Sequence, residues 1–399
     1  MDRFYNGKRL KTGYTTGSCA TAASKAAISM LLFKKVMDTV QITVPTGQKL
    51  SLEVLNISRS DDTCSCAIRK DGGDDPDATH NMLIYSTVSL VPSDGKRKII
   101  IDGGEGVGRV TLKGLDQKVG NAAINSVPRS MIEAAVLDVL NECDESLIEN
   151  KDVRVIISIP NGEECARRTF NPHLGIVGGL SILGTTGIVD PMSSSALIAT
   201  FKTELSVLKE QGTRNFSLVL GNYGLNFAED DLKLNLRPYV MCSNYLGDTL
   251  DCAIENKMEN VLLIAHIGKI VKCAVGILNT HSRNGDGRVD AFIRSALVCG
   301  ASLRCLREIE RSATTDGILE VLIEHGILEE VLCDIKRRVV ETISRRTCGF
   351  LNVEIICFTK ANISRDSRMS CGCETLDKNN RVLFYTENAA SLMKHKIDC

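Results

Sequence analysis

The chain has 399 residues, of which 43% are hydrophobic and 24% are charged, a composition typical of a globular protein with two or more domains. Its 48 Lys and Arg residues nearly balance its 49 Asp and Glu residues, giving a formal net charge of -1. This balance argues against a nucleic-acid partner, because nucleic-acid binders usually carry a basic excess.

The first half of the chain predicts an α+β domain over residues 1–170. Residues 1–17 contain no apolar signal region, so we expect a cytoplasmic protein. Small and apolar residues predict a helix at 18–33, with Thr15, Thr16 and Ser18 as N-cap candidates. Short alternating segments then predict antiparallel strands at 40–44, 49–54, 66–70, 83–90 and 98–102. A helix at 122–140 and a buried strand at 153–160 complete this half.

Strands alternate with helices in the second half, which predicts a Rossmann-like α/β domain with a mostly parallel sheet over residues 171–345. The strands are predicted at 216–220, 261–265 and 351–358, and the helices at 196–210, 244–257, 270–278, 289–306 and 316–346. The apolar stretch 261–278 is interrupted by three ionisable side chains and predicts no membrane span. Residues 346–399 are predicted to form a strand and a tail whose packing the sequence leaves open.

Ligands of such sheets bind beyond the carboxyl ends of the strands, where the connections diverge. This rule singles out residues 221–224, after the first of these strands, and residues 266–269, after the second.

The segment 174–193 is rich in glycine, with five glycines among small hydroxyl and β-branched residues. Glycine costs a regular element roughly 0.5–1 kcal/mol relative to alanine, so the segment indicates backbone lying close to another group. That group is either a ligand or the chain itself. The two common phosphate-loop patterns, G-x-G-x-x-G after a strand and G-x-x-x-x-G-K-[ST], are absent.

Two clusters of ionisable residues are candidates for chemistry. Residues 71–77 hold four carboxylates, a set suited to acid–base work or to a hard metal ion, although a solvated turn has the same composition. Residues 279–288 gather a histidine, two arginines and an aspartate, which suit carboxylate binding and proton exchange. The 16 cysteines are expected to be reduced core residues. Their close pairs, at 64/66 and 371/373, lack the spacing of a zinc site, and we predict no protein-bound metal.

Several strings together resemble the cobalt-precorrin-5B C-1 methyltransferase family of the anaerobic cobalamin pathway. They occur in family order across roughly residues 10–290: LKTGYTTGSCATAA (10–23), DGGDDPDAT (71–79), GGEGVGRVTLKGL (103–115), AINSVPR (123–129), GIVGGLSILGTTGIVDPMS (175–193) and HIGKIVKCAVGILNTHSR (266–283).

The resemblance implies methylation of C-1 of cobalt-precorrin-5B by S-adenosylmethionine, giving cobalt-precorrin-6A. It implies that the cobalt is carried by the tetrapyrrole substrate, and that other corrin-pathway enzymes are transient partners; it leaves the oligomeric state open. The family fold it implies, an α+β domain joined to a Rossmann-like domain, agrees with the pattern of elements above.

On this resemblance we assign site roles as expectations. S-adenosylmethionine is expected to contact two loops, which contain Gly184, Thr185, Thr186, Gly187, Gly221, Asn222 and Gly224. The tetrapyrrole carboxylates are expected to meet Arg129, Lys269 and Arg283. The catalytic candidates are Asp74, Asp75 and His281, with one of the aspartates handling a proton as C-1 becomes nucleophilic.

Two other classes of function stay open. A non-catalytic corrinoid-binding or carrier protein would keep the tetrapyrrole pocket without any need for S-adenosylmethionine. The missing phosphate loop disfavours an unrelated phosphate-binding enzyme, such as a small-molecule kinase. Binding of ATP would favour that alternative.

Overall fold

The computed structural model describes residues 2–5, 7–361 and 381–389. It is a mixed α/β structure with both parallel and antiparallel strand pairs. The chain divides into two compact units, Met1–Ser194 and Ser195–Cys399. The glycine-rich segment 174–193, predicted in the second domain, therefore belongs to the first unit.

The first unit contains thirteen strands and three helices within the described residues. In chain order these are β1 (Asp2–Tyr5), β2 (Lys8–Lys11), β3 (Gly13–Tyr14), α1 (Thr16–Phe33), β4 (Thr39–Thr43), β5 (Lys49–Glu53), β6 (Leu55–Arg59), β7 (Thr63–Arg69), β8 (Leu83–Pro92), β9 (Ile99–Gly103), β10 (Arg109–Val110), α2 (Ser126–Glu142), β11 (Lys151–Ser158), α3 (Gly162–Ala166), β12 (Ile176–Val177) and β13 (Ile188–Val189).

Helix α1 is the centre of this unit. Only Lys25 and Phe33 among its residues are not buried, and its small side chains let it pack against β7, β8 and α2. The main sheet has the order β6-β7-β8-β11-β9. Its pairs are antiparallel as predicted, except that β9 runs parallel to β11. The short strands β12 and β13 pair with β10 and β3, which fixes the glycine-rich segment to this unit.

Helices and strands alternate in the second unit as far as α7, and four further helices then precede the last two described strands. In chain order the elements are α4 (Ser194–Glu210), β14 (Asn215–Val219), α5 (Asn222–Asn226), β15 (Tyr239–Met241), α6 (Leu246–Glu255), β16 (Asn260–His266), α7 (Ile267–Ile270), α8 (Arg288–Val298), α9 (Leu303–Arg311), α10 (Thr315–Glu324), α11 (Leu328–Thr347), β17 (Asn352–Phe358) and β18 (Val382–Tyr385).

The sheet of this unit has the order β15-β14-β16-β17-β18. Strands β14 to β17 are mutually parallel, and β18 pairs antiparallel with β17. The connection after β14 packs its Phe227 and Ala228 against one face of the sheet. The connection after β16 packs its Ile267 and Ile270 with the core on the other face. The two connections thus diverge at the carboxyl ends of β14 and β16, where a ligand site is expected in such a sheet.

Three of the predicted helices are wrong in extent. The region 270–278 is not one helix, because α7 passes into a 3₁₀ turn (Val271–Val275) that ends at Gly276. The predicted helices 289–306 and 316–346 are each divided in two, at Gly300 and Gly326. Each of these three glycines has a positive φ, a conformation that ends a helix at little cost only for glycine.

Most cysteines of the described residues are buried free thiols, as predicted. Cys333 is an exception because it is disulfide-bonded. The pair Cys371 and Cys373 lies outside the described residues. Of the helices that the structure describes, none is both long enough and apolar enough to cross a membrane.

Candidate functional site

The loop 183–187 of the first unit lies on the N-terminus of α1. The Gly17 N–H donates to the Leu183 carbonyl at 3.1 Å, and the Thr15 N–H donates to the Gly187 carbonyl at 3.1 Å. The Ser18 hydroxyl donates to the same Gly187 oxygen at 2.6 Å, while the Ser18 N–H donates to Thr15 Oγ1. The helix N-terminus is thus capped by the chain itself.

This contact accounts for two of the glycines that the sequence assigned to the cofactor. A Cβ on Gly184 would overlap the Thr15 side chain, and one on Gly187 would lie 2.5 Å from Val44 Cβ. Both glycines also have a positive φ. The side chains of Leu183, Thr185 and Thr186 in this loop are exposed.

A second set of glycines forms a junction of three backbone segments, which we call the glycine junction (Gly106, Gly162 and Gly179). A Cβ on Gly106 would overlap the Ile159 carbonyl oxygen, and one on Gly162 or Gly179 would overlap the backbone of Gly106. The Gly106 carbonyl meanwhile accepts the Leu180 N–H at 2.9 Å. These glycines permit close packing of the chain on itself, so at this junction the group that the glycines approach is the protein backbone and not a ligand.

The acidic turn 71–77 is held by hydrogen bonds that its carboxylates accept. Asp74 accepts the Lys11 N–H at 2.6 Å, and Asp75 accepts the Met192 N–H at 2.9 Å. Asp71 pairs with the Lys11 ammonium, and this hydrogen bond is the main reason that the pKa of Asp71 lies below its ordinary value. Asp74 and Asp75 therefore join the turn to β2 and to the glycine-rich segment.

The fourth carboxylate of the turn, Asp77, forms an ion pair with Lys70, whose side chain is 2% exposed. Asp77 also accepts hydrogen bonds from the N–H and hydroxyl of Thr79. No three His, Cys, Asp or Glu side chains within the described ranges lie close enough together to hold a metal ion.

Arg129, the predicted substrate ligand of this unit, is occupied by backbone. Its guanidinium donates to the carbonyls of Ile101, Ala122 and Ile124 at 2.8, 3.3 and 2.9 Å. Burial lowers its pKa. Arg129 thus fixes the chain around the start of α2.

The carboxyl edge of the second sheet gathers a different kind of residue. Gly221 follows β14 with φ +98°, and a Cβ there would meet only Lys269 Nζ, at 3.3 Å. Lys269 is half-buried and donates to the Ser243 carbonyl at 3.1 Å, beyond the end of β15. Burial lowers the pKa of its ammonium. Gly224 serves packing instead, since a Cβ would lie 2.7 Å from Val219 Cγ1.

His266 ends β16 at the middle of this edge. Its Nδ1 accepts the Gly268 N–H at 3.1 Å, so in the neutral ring the proton is on Nε2. Burial, together with the charges of Lys360 and Lys269, lowers the pKa of His266, and Asp316 opposes the shift. Neutral imidazole is therefore the dominant form at neutral pH.

The rings of Tyr223 and Phe358 flank His266, with centroids at 6.5 and 5.4 Å. The Lys360 ammonium lies 3.2 Å from the centroid of the Tyr223 ring. Asp316, at the start of α10, accepts a hydrogen bond from the Thr359 hydroxyl at 2.8 Å. The groups that follow β14, β16 and β17 thus converge at one edge.

The segment 279–283 lies against the loop that follows β15. The Thr280 N–H and hydroxyl donate to the carbonyl and side chain of Asn244 at 2.8 and 3.2 Å. The buried Lys272 ammonium donates to the carbonyls of Thr280 and Gly285. His281 Nδ1 accepts the Arg283 N–H, which leaves Nε2 for another partner.

The structure brings together some of the predicted site residues of the second unit and places the others in the first unit. Lys269 and the segment that carries His281 and Arg283 both contact the loop 242–244. Arg129, Asp74, Asp75 and the 184–187 loop belong to the first unit. No role was expected from the sequence for Tyr223, Asp316 or Lys360. Lys360 follows the predicted strand 351–358, so the rule that places ligands after parallel strands also points to it.

Comparisons with known proteins give a consistent result. The family model described as CbiD matches residues 3–191, and that of its C-terminal domain matches residues 279–366.

The cobalt-precorrin-5B C(1)-methyltransferase of Ruminiclostridium cellulolyticum is 42% identical over 389 residues, which cover 98% of this chain and 96% of the relative. The enzyme of the same name from Thermoanaerobacter sp. is 44% identical over 350 residues, covering 88% and 93%. The crystal structure of a cobalamin biosynthesis protein (cbiD) from Archaeoglobus fulgidus is 22% identical with a TM-score of 0.37, covering 82% of this chain and 88% of that one.

Proposed function

Because the chain belongs to the CbiD family, we propose that it methylates C-1 of cobalt-precorrin-5B in cobalamin biosynthesis, with S-adenosylmethionine as the donor. The observation that carries the proposal is the similarity to methyltransferases of this name along nearly the whole chain. The product is cobalt-precorrin-6A, and the cobalt belongs to the substrate. The cytoplasm remains the expected compartment, and other enzymes of the pathway remain expected partners.

We assign the donor to the carboxyl edge of the second sheet and interpret this unit as a Rossmann-like domain. Gly221 fits such a ligand because its backbone is open on the side where a Cβ would point, apart from Lys269 Nζ. The exposed Asn222 lies beside it. Gly224 lets the chain turn back tightly onto the sheet, a role that glycine also has in dinucleotide-binding turns. Thr185 remains a candidate through its exposed side chain. Thr186 is exposed too, although its hydroxyl already donates to the Ile188 carbonyl at 2.9 Å. Packing accounts for Gly184 and Gly187.

The substrate carries several acetate and propionate groups, so its recognition calls for cations and N–H donors. Lys269 and Arg283 supply cationic donors near the loop 242–244, and the ring of His281 keeps one nitrogen for a partner. Methyl transfer from a sulfonium to carbon needs alignment of the two reacting atoms above all, so positioning of the two ligands supplies most of the rate. When bound, the donor supplies an electrophilic methyl group.

A proton must leave the tetrapyrrole as C-1 becomes nucleophilic. Asp75 is our first candidate for the acceptor, since one oxygen binds the Met192 N–H and the other is left for substrate. Asp74, bonded to the Lys11 N–H, is the second candidate.

The test is anaerobic incubation with cobalt-precorrin-5B and S-adenosylmethionine labelled with a CD₃ group, followed by mass spectrometry of the tetrapyrrole. Transfer of one labelled methyl group establishes the activity. Asp75→Asn should lower kcat by about 100-fold if Asp75 accepts the proton. His281→Ala should lower kcat/KM by about 10-fold if its ring binds a substrate carboxylate, while the exposed His173→Ala serves as a matched control. Wild-type turnover in both variants would refute the roles. Tight tetrapyrrole binding without transfer would favour the carrier function.

A further inference from the structure

Two exposed side chains meet across the carboxyl end of β16. Strand β16 lies between β14 and β17 in the sheet. Tyr223 follows β14 and Lys360 follows β17. The Lys360 ammonium lies 3.2 Å from the centroid of the Tyr223 ring. Tyr223 is 60% exposed, and Lys360 is exposed as well. The pair therefore contributes little to the core and lies at the entrance of the proposed ligand site.

The charges at this entrance are unbalanced. Lys269 and Lys360 are both close enough to His266 to act on its charge, and Asp316 is the carboxylate that opposes them. Asp316 already accepts the hydroxyl of Thr359. In the part of the chain that the structure describes, neither lysine forms an ion pair with a carboxylate. An excess of positive charge beside a neutral imidazole favours an anionic ligand.

A cation over an aromatic ring is held weakly when both groups are exposed, and a carboxylate binds an ammonium more strongly through a charge-assisted hydrogen bond. We propose that Lys360 binds a carboxylate of the ligand at this edge, and that the Tyr223 ring keeps its ammonium in place for that contact. The inference rests on the proposed function, because both the tetrapyrrole and the methionine part of the donor carry carboxylates.

The experiment compares Lys360→Met with wild type in two binding titrations of the full chain. Cobalt-precorrin-5B is titrated anaerobically and followed by its absorption, and S-adenosylmethionine is titrated by calorimetry. We expect Lys360→Met to raise the Kd of one ligand by about tenfold, as loss of one charge-assisted contact predicts. Lys360→Arg should restore most of the affinity, and Tyr223→Leu should weaken binding less than Lys360→Met.

Lys257→Met is the matched control, because Lys257 is an exposed lysine that precedes β16 at the opposite edge of the same sheet. Tyr223→Phe keeps the ring and should bind like wild type. Because the substituted side chains are exposed, we expect every variant to keep the folded structure of the wild type. Circular dichroism checks this.

The two titrations identify the source of the carboxylate. A higher Kd for the tetrapyrrole alone assigns Lys360 to a substrate side chain, and a higher Kd for S-adenosylmethionine alone assigns it to the donor. If both Kd values stay within about twofold of the Lys257→Met values, the proposal is overturned. It is also overturned if wild type binds neither ligand. Because binding is measured without turnover, a wild type that binds the tetrapyrrole but transfers no methyl would refute the proposed function and still decide the role of Lys360.

Discussion

The individual glycines of this chain are required for two different reasons. At the glycine junction and at Gly184 and Gly187, a side chain would overlap the protein itself. At Gly178 the structure places nothing within 4 Å of a Cβ, and at Gly221 it places only Lys269 Nζ. A local pattern cannot separate these cases, because the atoms that Gly106 approaches belong to residues about fifty to seventy positions away in the chain.

Gly106→Ala should destabilise the protein strongly, and Gly178→Ala is its matched control. Both glycines have a positive φ, +70° and +82°, so the backbone strain of about 1 kcal/mol is common to both variants. Only the first variant adds a clash with the Ile159 carbonyl, and we expect its total cost to be about 4 kcal/mol or more. Urea denaturation measures both values. Equal losses would mean that the junction tolerates a side chain.

Glu204 predicts a pH dependence of stability. Its side chain on α4 is partly buried, and this burial raises its pKa from 4.5 to about 7. Phe201 and Leu205, which are close to it in the sequence, are buried residues of the same helix. Between these two values the native state binds more protons than the unfolded state, so the free energy of unfolding decreases as pH rises through this window. Glu204→Gln removes this dependence and should be more stable than wild type by about 1–3 kcal/mol at pH 8.

The measurement is urea denaturation of both proteins near pH 5 and pH 8. Glu210→Gln, at an exposed position of the same helix, controls for the loss of one negative charge. If Glu204→Gln lost stability with rising pH as steeply as wild type does, another group would be responsible.

At the scale of elements, α1 shows how a helix N-terminus can be satisfied without a ligand. Thr15 accepts the Ser18 N–H, and the Gly17 N–H is taken by Leu183. Thr15→Ala should therefore lower the free energy of unfolding by about 1 kcal/mol, the usual value of an N-cap, and leave the affinity for S-adenosylmethionine unchanged. Ser302→Ala, which removes the cap of α9, is the control. A loss of donor affinity without a loss of stability would show that the terminus of α1 binds the ligand.

The elements were largely predictable because their signals are local. The helix at 18–33, the buried strands at 216–220 and 261–265, and the divergence of the loops at 221 and 266 all follow from periodicity and connectivity. The helix ends at Gly300 and Gly326 were not predicted, although glycine is the common signal for such an end. The strand β6 and the hairpin β1–β2 were also missed. Strands β2 and β6 are short and contain no buried residue, so they lack the alternation that marks a half-buried strand.

At the scale of the whole molecule, each unit has a hydrophobic core of its own. Leu263, at the centre of β16, is fully buried. Leu263→Ala should cost about 2–5 kcal/mol, through lost burial and the cavity left behind. We expect hydrogen exchange to accelerate in β14, β16 and β17 and to stay slow in α1, β8 and β11. Equal acceleration in both units would show that the chain unfolds as one cooperative block.

The ion pairs of the acidic turn have an electrostatic consequence for the molecule. The sequence of the turn has four carboxylates, but Lys11 and Lys70 neutralise the charge of Asp71 and Asp77. The negative potential that this surface projects into solvent therefore arises mainly from Asp74 and Asp75, and is about half of what the composition indicates. A polyanionic tetrapyrrole diffusing toward the protein thus meets a weaker repulsive field, and its association rate depends less on ionic strength than a count of aspartates would predict.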